Sequence, residues 1–481
     1  MNLLPFLLLI LTVLNVSFGF VLIFLERKNP AATWAWLMVL TLMPFFGFLL
    51  YLLFGQNLKK QKIFDTKTND DKMLYKESLK QIKELEYCKE NFMCKYDTHY
   101  QDFIQMNLAS NHSVYTENNH VDIFTDGKDK FTQLIEDIEN AKDHVHLLYY
   151  IIKNDGLSNK LMEVLTKKAE EGLEVRLLAD SLGGRRMSKE VLKTFKEAGG
   201  KFATFFPARI PIVSLRKNYR NHRKIAIIDG NCGYVGGFNI GDEYLGLDDK
   251  FGYWRDNHLR IKGNAVRSMQ MRFLSDWNHS SPDQIDYEKR YYPTMSIKSD
   301  TGIQIVSSGP DSEEMHIKNG YLKMIMSAKK NIYIQTPYFV PDQSFMECLK
   351  IAALSGVDVN IMIPNKPDHI FVYWASYSYI GDLLKSGVKA YTYEGGFLHA
   401  KTVIIDEEIA SVGTANMDIR SFQLNFEINA FVYDKIVASS LTYFFKEDLK
   451  SSLEITQERY DSRSKVIKIK ESIARLLSPI L

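Results

Sequence analysis

Two stretches near the start of the chain carry no charge: 23 residues from Leu3 to Leu25 and 25 from Ala31 to Gly55. Crossing a bilayer core takes about 20 apolar residues, so each run is long enough for a membrane-spanning helix. Between them, Glu26-Arg27-Lys28-Asn29-Pro30 leaves room only for a tight polar turn, and Trp34, Trp36 and Tyr51 sit near the ends of the second run. Amphipathic rings favour that interfacial position. The pattern predicts a two-helix transmembrane hairpin over residues 1–56. A cleaved signal peptide would need a basic start, a shorter apolar core and a small-residue cleavage site, which Met1-Asn2-Leu3-Leu4 does not begin to supply. Lys59, Lys60, Lys62 and Lys67 follow the second run, against Arg27 and Lys28 in the turn. That excess places the rest of the chain on the cytoplasmic side.

From residue 57 to 110 the chain is charged and helix-prone, as in Asp70-Asp71-Lys72 and Lys83-Glu84-Leu85-Glu86, and reads as a helical linker. Strand and helix patterns then alternate. His144 to Ile152 is a buried-strand run, Lys160 to Glu171 has helical spacing, and Leu173 to Ala179 is a strand again. The same order returns with a helix over Tyr321–Lys329, a strand over Asn331–Gln335, a helix over Gln343–Leu354 and a strand over Val357–Ile363. Alternation predicts βαβ units in an α/β fold. Recurrence after about 180 residues is too long for a solenoid repeat and predicts a duplicated domain, with halves at 111–290 and 291–481. The tail from Arg463 to Leu481 sets five Lys/Arg and one acid, Glu471, among Val466, Ile467, Ile469, Ile473, Leu476 and Leu477. It predicts a basic amphipathic helix at an interface.

The evidence for duplication is also chemical. His222-Arg-Lys224-Ile-Ala-Ile-Ile-Asp229 recurs as His399-Ala-Lys401-Thr-Val-Ile-Ile-Asp406, and Gly236/Gly413 and Asn239/Asn416 follow each histidine by 14 and 17 residues. On a strand, alternation points His222 with Lys224 and His399 with Lys401 to one side. Asp229 and Asp406 complete the candidate catalytic set, but their opposite parity suits structure or charge balance better than substrate contact. Two halves meeting face to face would pool two His, two Lys and two Asn. Lysines supply point charges for a phosphate, and Asn239 and Asn416 add neutral donors. One imidazole can attack phosphorus while the other protonates the departing alkoxide. A carboxylate that fixes the tautomer improves a histidine base. The candidates are Asp256 and Glu427, 34 and 28 residues past their histidines. No metal or other cofactor is needed for this chemistry, and His144 and His146 read as strand residues rather than ligands.

Lys+Arg number 60 and Asp+Glu 58, a net charge of +2. This near balance counts against a bulk nucleic-acid binder. A local basic stretch is nevertheless present from Arg209 to Lys224, with six Lys/Arg and no acid among Ile210, Ile212, Val213 and Leu215. It suits an anionic bilayer surface. Cys88, Cys94, Cys232 and Cys348 have no C-x-x-C spacing and suit reduced thiols.

The paired H-x-K-x4-D elements with trailing G-x-x-N resemble the phospholipase D superfamily. Asn29-Pro30, Thr33-Trp34-Ala35-Trp36, Tyr253-Trp254-Arg255-Asp256, Ser307-Ser308-Gly309-Pro310-Asp311, Gln335-Thr336-Pro337-Tyr338-Phe339 and Gly413-Thr414-Ala415-Asn416 extend the resemblance to its bacterial cardiolipin synthase branch. It implies two phospholipase D-like domains as a pseudo-twofold pair behind a membrane hairpin, in the bacterial cell membrane. It further implies transfer of a phosphatidyl group between two phosphatidylglycerol molecules, giving cardiolipin and glycerol. By the family's pattern His222 would form a phosphohistidine and His399 would move the protons, though the near-symmetric motifs do not decide between them. Lys224, Lys401, Asn239 and Asn416 would hold phosphate, with Asp256 and Glu427 orienting the rings. The alternatives are a membrane-bound phospholipase D releasing phosphatidic acid, a transferase to another alcohol such as serine, a nucleic-acid phosphodiesterase and an inactive scaffold. Intact motifs count against the scaffold, and charge balance and the hairpin count against the nuclease.

Overall fold

The computed structural model describes scattered positions between Ile10 and Phe24, residues 30–43 and 46–51, and then residues 69–91, 100–206, 219–286 and 288–478. The described residues up to Tyr51 belong to one compact unit and those from Asn69 to Ser478 to another. In the first, the helices Pro30–Leu42 and Phe46–Leu50 fold closely together, with the Trp36 ring edge-on to Tyr51 at 5.2 Å. Gly47 permits this approach, since a Cβ there would lie 2.6 Å from the Val39 carbonyl oxygen. Among the described residues no helix is long and apolar enough to cross a membrane. Much of the expected first span, the turn from Glu26 to Asn29, the end of the second span and the lysines after it lie outside the described residues.

The larger unit is built on two sheets with one strand order. The first runs Asn119–Phe124, His258–Gly263, Cys232–Gly236, Ile225–Ile228, His144–Tyr149, Glu174–Asp180, Lys201–Phe205. The second, with Tyr115–Thr116 and Ser452–Glu454 added at its edges, repeats that order over seven strands: Gly302–Ser308, Asn425–Tyr433, Ile409–Gly413, Thr402–Ile405, Asn331–Gln335, Asp358–Pro364, Lys389–Tyr393. In each the last three strands are parallel and the others antiparallel. Ile225–Ile228 and Thr402–Ile405 are buried along their whole length, as unbroken apolar runs at the middle of a covered sheet require. The crossover helices Gly156–Glu170 and Gln343–Leu354 are capped alike. Asp155 accepts from the Ser158 N–H and Asp342 from the Phe345 N–H.

The sheets do not partition the chain as cleanly as the expected boundaries. Helix Gln101–Asn111, within the expected linker, buries Phe103 against Phe431 at 5.4 Å, and Asn107 donates to Gln304 at 3.0 Å. Strand Tyr115–Thr116 pairs with Gly302–Ser308. The start of the first half is thus core of the second. Helix Asn69–Asn91 covers the earlier part of the expected linker, and residues 57–68 lie outside the described residues.

Asp229 and Asp406 also occupy equivalent places. Each has a left-handed backbone, φ 51° and 53°, just after its motif strand. The Asp229 carboxylate accepts from the N–H groups of Lys142, Asp143 and His144. The Asp406 carboxylate accepts from those of Lys329, Lys330 and Asn331. Each therefore anchors the entry to the adjacent antiparallel strand, His144–Tyr149 or Asn331–Gln335. This corrects their inclusion among catalytic candidates, because their oxygens bind backbone amides at the strand ends away from the histidines.

Candidate active site

Two short strand exchanges bring the motifs together. Arg220–Asn221 pairs with Asn425–Phe426, and the His222 N–H extends the pairing to the Phe426 carbonyl at 2.9 Å. In the mirror-image arrangement Phe397–Leu398 pairs with Trp254–Arg255, and the His399 N–H donates to the Arg255 carbonyl at 2.7 Å. Each histidine is therefore delivered beside the acid of the opposite half. His399 Nδ1 lies 2.6 Å from Asp256 Oδ2 in a hydrogen bond. His222 Nδ1 lies 3.3 Å from Glu427 Oε1, too far out of line to count as one. Sequence spacing had assigned each acid to the histidine of its own half, and the exchanged strands reverse that assignment.

The lysines fold back onto the same segments. Lys224 Nζ donates to the His222 carbonyl at 2.7 Å, and Lys401 Nζ lies 2.9 Å from His399 Nδ1. Among the described residues, Nε2 of neither imidazole has a protein hydrogen-bond partner, so that nitrogen is left for substrate. Burial holds both imidazoles down, to about 4, with Lys224 beside His222 and Lys401 beside His399 opposing protonation and the two carboxylates favouring it. Burial likewise lowers Lys224 to about 8 and Lys401 to about 7, partly offset by Glu427 and Asp256. Burial alone would raise Glu427, but His222 and Lys224 hold it below the usual carboxylate range. Two imidazoles, two lysines and two carboxylates are thus crowded into one buried site.

Asn239 and Asn416 are buried, each already engaged. Asn239 accepts from the Ile151 N–H at 3.1 Å and donates to Tyr244 at 3.2 Å. Asn416 donates to Asp418 at 3.3 Å. Each amide retains a second N–H. His144 and His146 belong to the core, where Gln270 bridges them at 3.1 and 2.9 Å. The segment 207–218 of the basic stretch lies outside the described residues.

Several residues at the site were given no role by the sequence. The Tyr150 ring lies 4.3 Å from His222, and the Trp254 ring 5.1 Å from His399. Thr414 Oγ1 donates to Glu427 at 2.6 Å. At the equivalent place in the first half stands Gly237, where a Cβ would lie 2.0 Å from Asp256 Oδ1. Arg223 binds the Glu427 carbonyl at 3.2 Å while paired to Asp276 at 2.6 Å, and Arg255 binds the Asp256 carbonyl at 2.6 Å while paired to Asp448 at 2.9 Å. Both braces hold the backbone of an acid. The only available signal was position: each arginine sits next to a motif residue.

Comparison with known proteins agrees with this architecture. A family model described as cardiolipin synthase, PLD-like domain, matches residues 134–277 and 321–449, and one described as phospholipase D-nuclease N-terminal matches residues 8–56. The chain is 54% identical to a cardiolipin synthase of Listeria monocytogenes over 100% of both chains. It is also 54% identical to the major cardiolipin synthase of Bacillus subtilis over 98% of both. The crystal structure of a phosphatidylserine synthase from Haemophilus influenzae shares the fold, with a TM-score of 0.60 at 15% identity, covering 75% of this chain and 95% of that one.

Proposed function

The chain belongs to the cardiolipin synthase family of phospholipase D-like enzymes, and from that premise we propose that it transfers a phosphatidyl group from one phosphatidylglycerol to a second, forming cardiolipin and glycerol. The observation that carries this reading is the pair of crossed His–acid contacts, with a buried lysine beside each histidine.

In the proposed reaction, His222 Nε2 attacks the donor phosphorus. An N–P bond forms, the P–O bond to glycerol breaks, and glycerol takes a proton from His399. The hydroxyl of the second phosphatidylglycerol then gives its proton back to His399 and attacks phosphorus. The new O–P bond forms as the N–P bond breaks. Assigning the proton work to His399 is supported by its 2.6 Å bond to Asp256, since a carboxylate at Nδ1 fixes the tautomer and stabilises the imidazolium. His222, kept neutral by burial, keeps the lone pair a nucleophile needs. Lys224 and Lys401 would neutralise the phosphate, with Asn239 and Asn416 donating to its oxygens. Residues 1–56, with their two uncharged runs, would anchor the enzyme in the bacterial membrane as a hairpin, with the catalytic body on the cytoplasmic side.

The test is purified full-length enzyme with phosphatidylglycerol vesicles in EDTA, with lipid products read by mass spectrometry. Cardiolipin with equimolar glycerol, lost in both His222→Ala and His399→Ala, is the expected result. Phosphatidic acid as the main product would replace the acceptor alcohol with water and make the enzyme a hydrolase.

A further inference from the structure

The C-terminal helix Lys465–Leu476 has two side-chain stripes, and the fold buries only one of them. Glu471 and Ala474 are buried, and Ala474 joins Val372 and Ala375 of helix Ile370–Leu384 and Val340 in a small core. Arg463 pairs with Glu471 at 3.2 Å and Arg475 with Asp382 at 2.7 Å, which fixes the rotation of the helix. The other stripe, at i, i+3, i+7 and i+10, points outward: Val466, Ile469, Ile473 and Leu476 are 61%, 59%, 52% and 81% exposed. A helix stripe of this spacing ordinarily covers a core.

Three observations identify what covers it. The stripe is flanked by Lys465, Lys468 and Lys470, all exposed, none of which pairs with a carboxylate among the described residues. Lys470 Nζ lies 5.0 Å over the Trp374 ring, and that ring lies 5.7 Å from Phe371. Phe371 and its neighbour Ile370 are themselves exposed. Finally, the patch connects to the rim of the pocket through few steps. Asn416 leads into Met417–Asp418, which pairs with Phe339–Val340, and the Phe339 N–H donates to Ser376 of helix Ile370–Leu384. Tyr338, next to that strand, donates to Asp368 just before the helix begins.

We propose that this second stripe, with Ile370 and Phe371, is a docking surface for an anionic lipid bilayer that seats the pocket rim in the headgroup layer. The inference builds on the proposed function, because a lipid substrate is what requires the rim to meet the bilayer. Apolar side chains enter the headgroup–acyl boundary while lysines around them meet anionic lipid, the pattern of an interfacial helix.

The test compares full-length wild type with an Ile469→Asp, Ile473→Asp variant on two forms of phosphatidylglycerol: vesicles and a short-chain form dispersed below its critical micelle concentration. The vesicle kcat/KM is expected to fall about tenfold while the short-chain rate stays within about twofold. Ile351→Asp, at an exposed apolar position on helix Gln343–Leu354, should change neither rate. An environment-sensitive fluorophore on Ile473→Cys should shift to the blue on phosphatidylglycerol vesicles and not on phosphatidylcholine vesicles, relative to the same label on Ile351→Cys. An unchanged vesicle rate, or equal loss on both substrates, overturns the proposal. If wild type makes no cardiolipin from either form, the proposed function fails instead, and the label still reports whether the stripe meets the bilayer.

Discussion

Asp256 and His399 lie 143 residues apart in the chain and 2.6 Å apart in space, a carboxylate of one half bound to the imidazole of the other. Glu427 stands in the reciprocal position to His222, but at 3.3 Å and out of line. The two contacts are topologically equivalent and geometrically unequal, which gives the acids different weight.

Asp256→Asn should therefore be the more damaging acid substitution. An amide in place of the carboxylate cannot stabilise imidazolium, so kcat for cardiolipin formation is expected to fall about 10²–10⁴-fold. Glu427→Gln should lose at least tenfold less. Steady-state kinetics on both variants, with circular dichroism to establish folding, decides the point. Equal losses would mean that the geometric asymmetry has no kinetic counterpart.

The rate should weaken on the alkaline side earlier than ordinary lysines would allow. Lys401 and Lys224 lose their charge as pH rises through about 7 and about 8, and kcat/KM reports the free enzyme in which those values apply. The expected profile falls on the alkaline side from about 7, where Lys401 begins to lose its charge. A kcat/KM still level at pH 9 would contradict the assignment of charged lysines to phosphate binding.

Asp406→Ala should act on stability rather than chemistry. It orphans three backbone N–H groups and puts alanine at a left-handed φ of 53°, a loss of about 1–3 kcal/mol and a Tm lower by several degrees. Asp406→Asn keeps an acceptor and tolerates that backbone, so it should recover much of the loss. Activity per folded molecule, measured well below Tm, should stay near wild type in both. A hundredfold drop in either would return Asp406 to the catalytic set.

Gly237→Ala should mimic loss of Asp256. The added Cβ would fall 2.0 Å from Asp256 Oδ1 and push the carboxylate off His399. The expected signature is a drop in kcat comparable to that of Asp256→Asn, with little change in far-ultraviolet circular dichroism. Thr414→Val, which removes a 2.6 Å bond to Glu427, should be the milder change.

What the sequence made legible follows from which signals repeat. The strand Asn331–Gln335 and the helix Gln343–Leu354 fall where the pattern placed them, because turn residues such as Ser355-Gly356 punctuate the apolar periods. The His/Lys/Asn pairs stood out because they occur twice at fixed spacing. The partnership of Asp256 with His399 was hidden, because it depends on two-residue strands, Trp254–Arg255 and Phe397–Leu398, too short to carry any period. Tyr150 and Trp254 were hidden for another reason: an aromatic in a buried run reads the same whether it packs on a core or on a catalytic ring. Helix Gln101–Asn111 was taken for linker because its polar residues outnumber the apolar ones, although Phe103, Ile104 and Leu108 are all buried.

The exchanged acids have a genetic consequence. Neither half holds a complete His–acid unit of its own, so an ancestral single copy could have worked only as a pair of identical subunits, each lending its carboxylate to the other. Joining two such copies in one chain leaves room for the acids to differ, as Asp256 and Glu427 do. It also means that lesions in the two halves will not sort by position. A mutation at Asp256 belongs to the same functional group as one at His399, and an allelic series of this gene should cluster by crossed pair rather than by half.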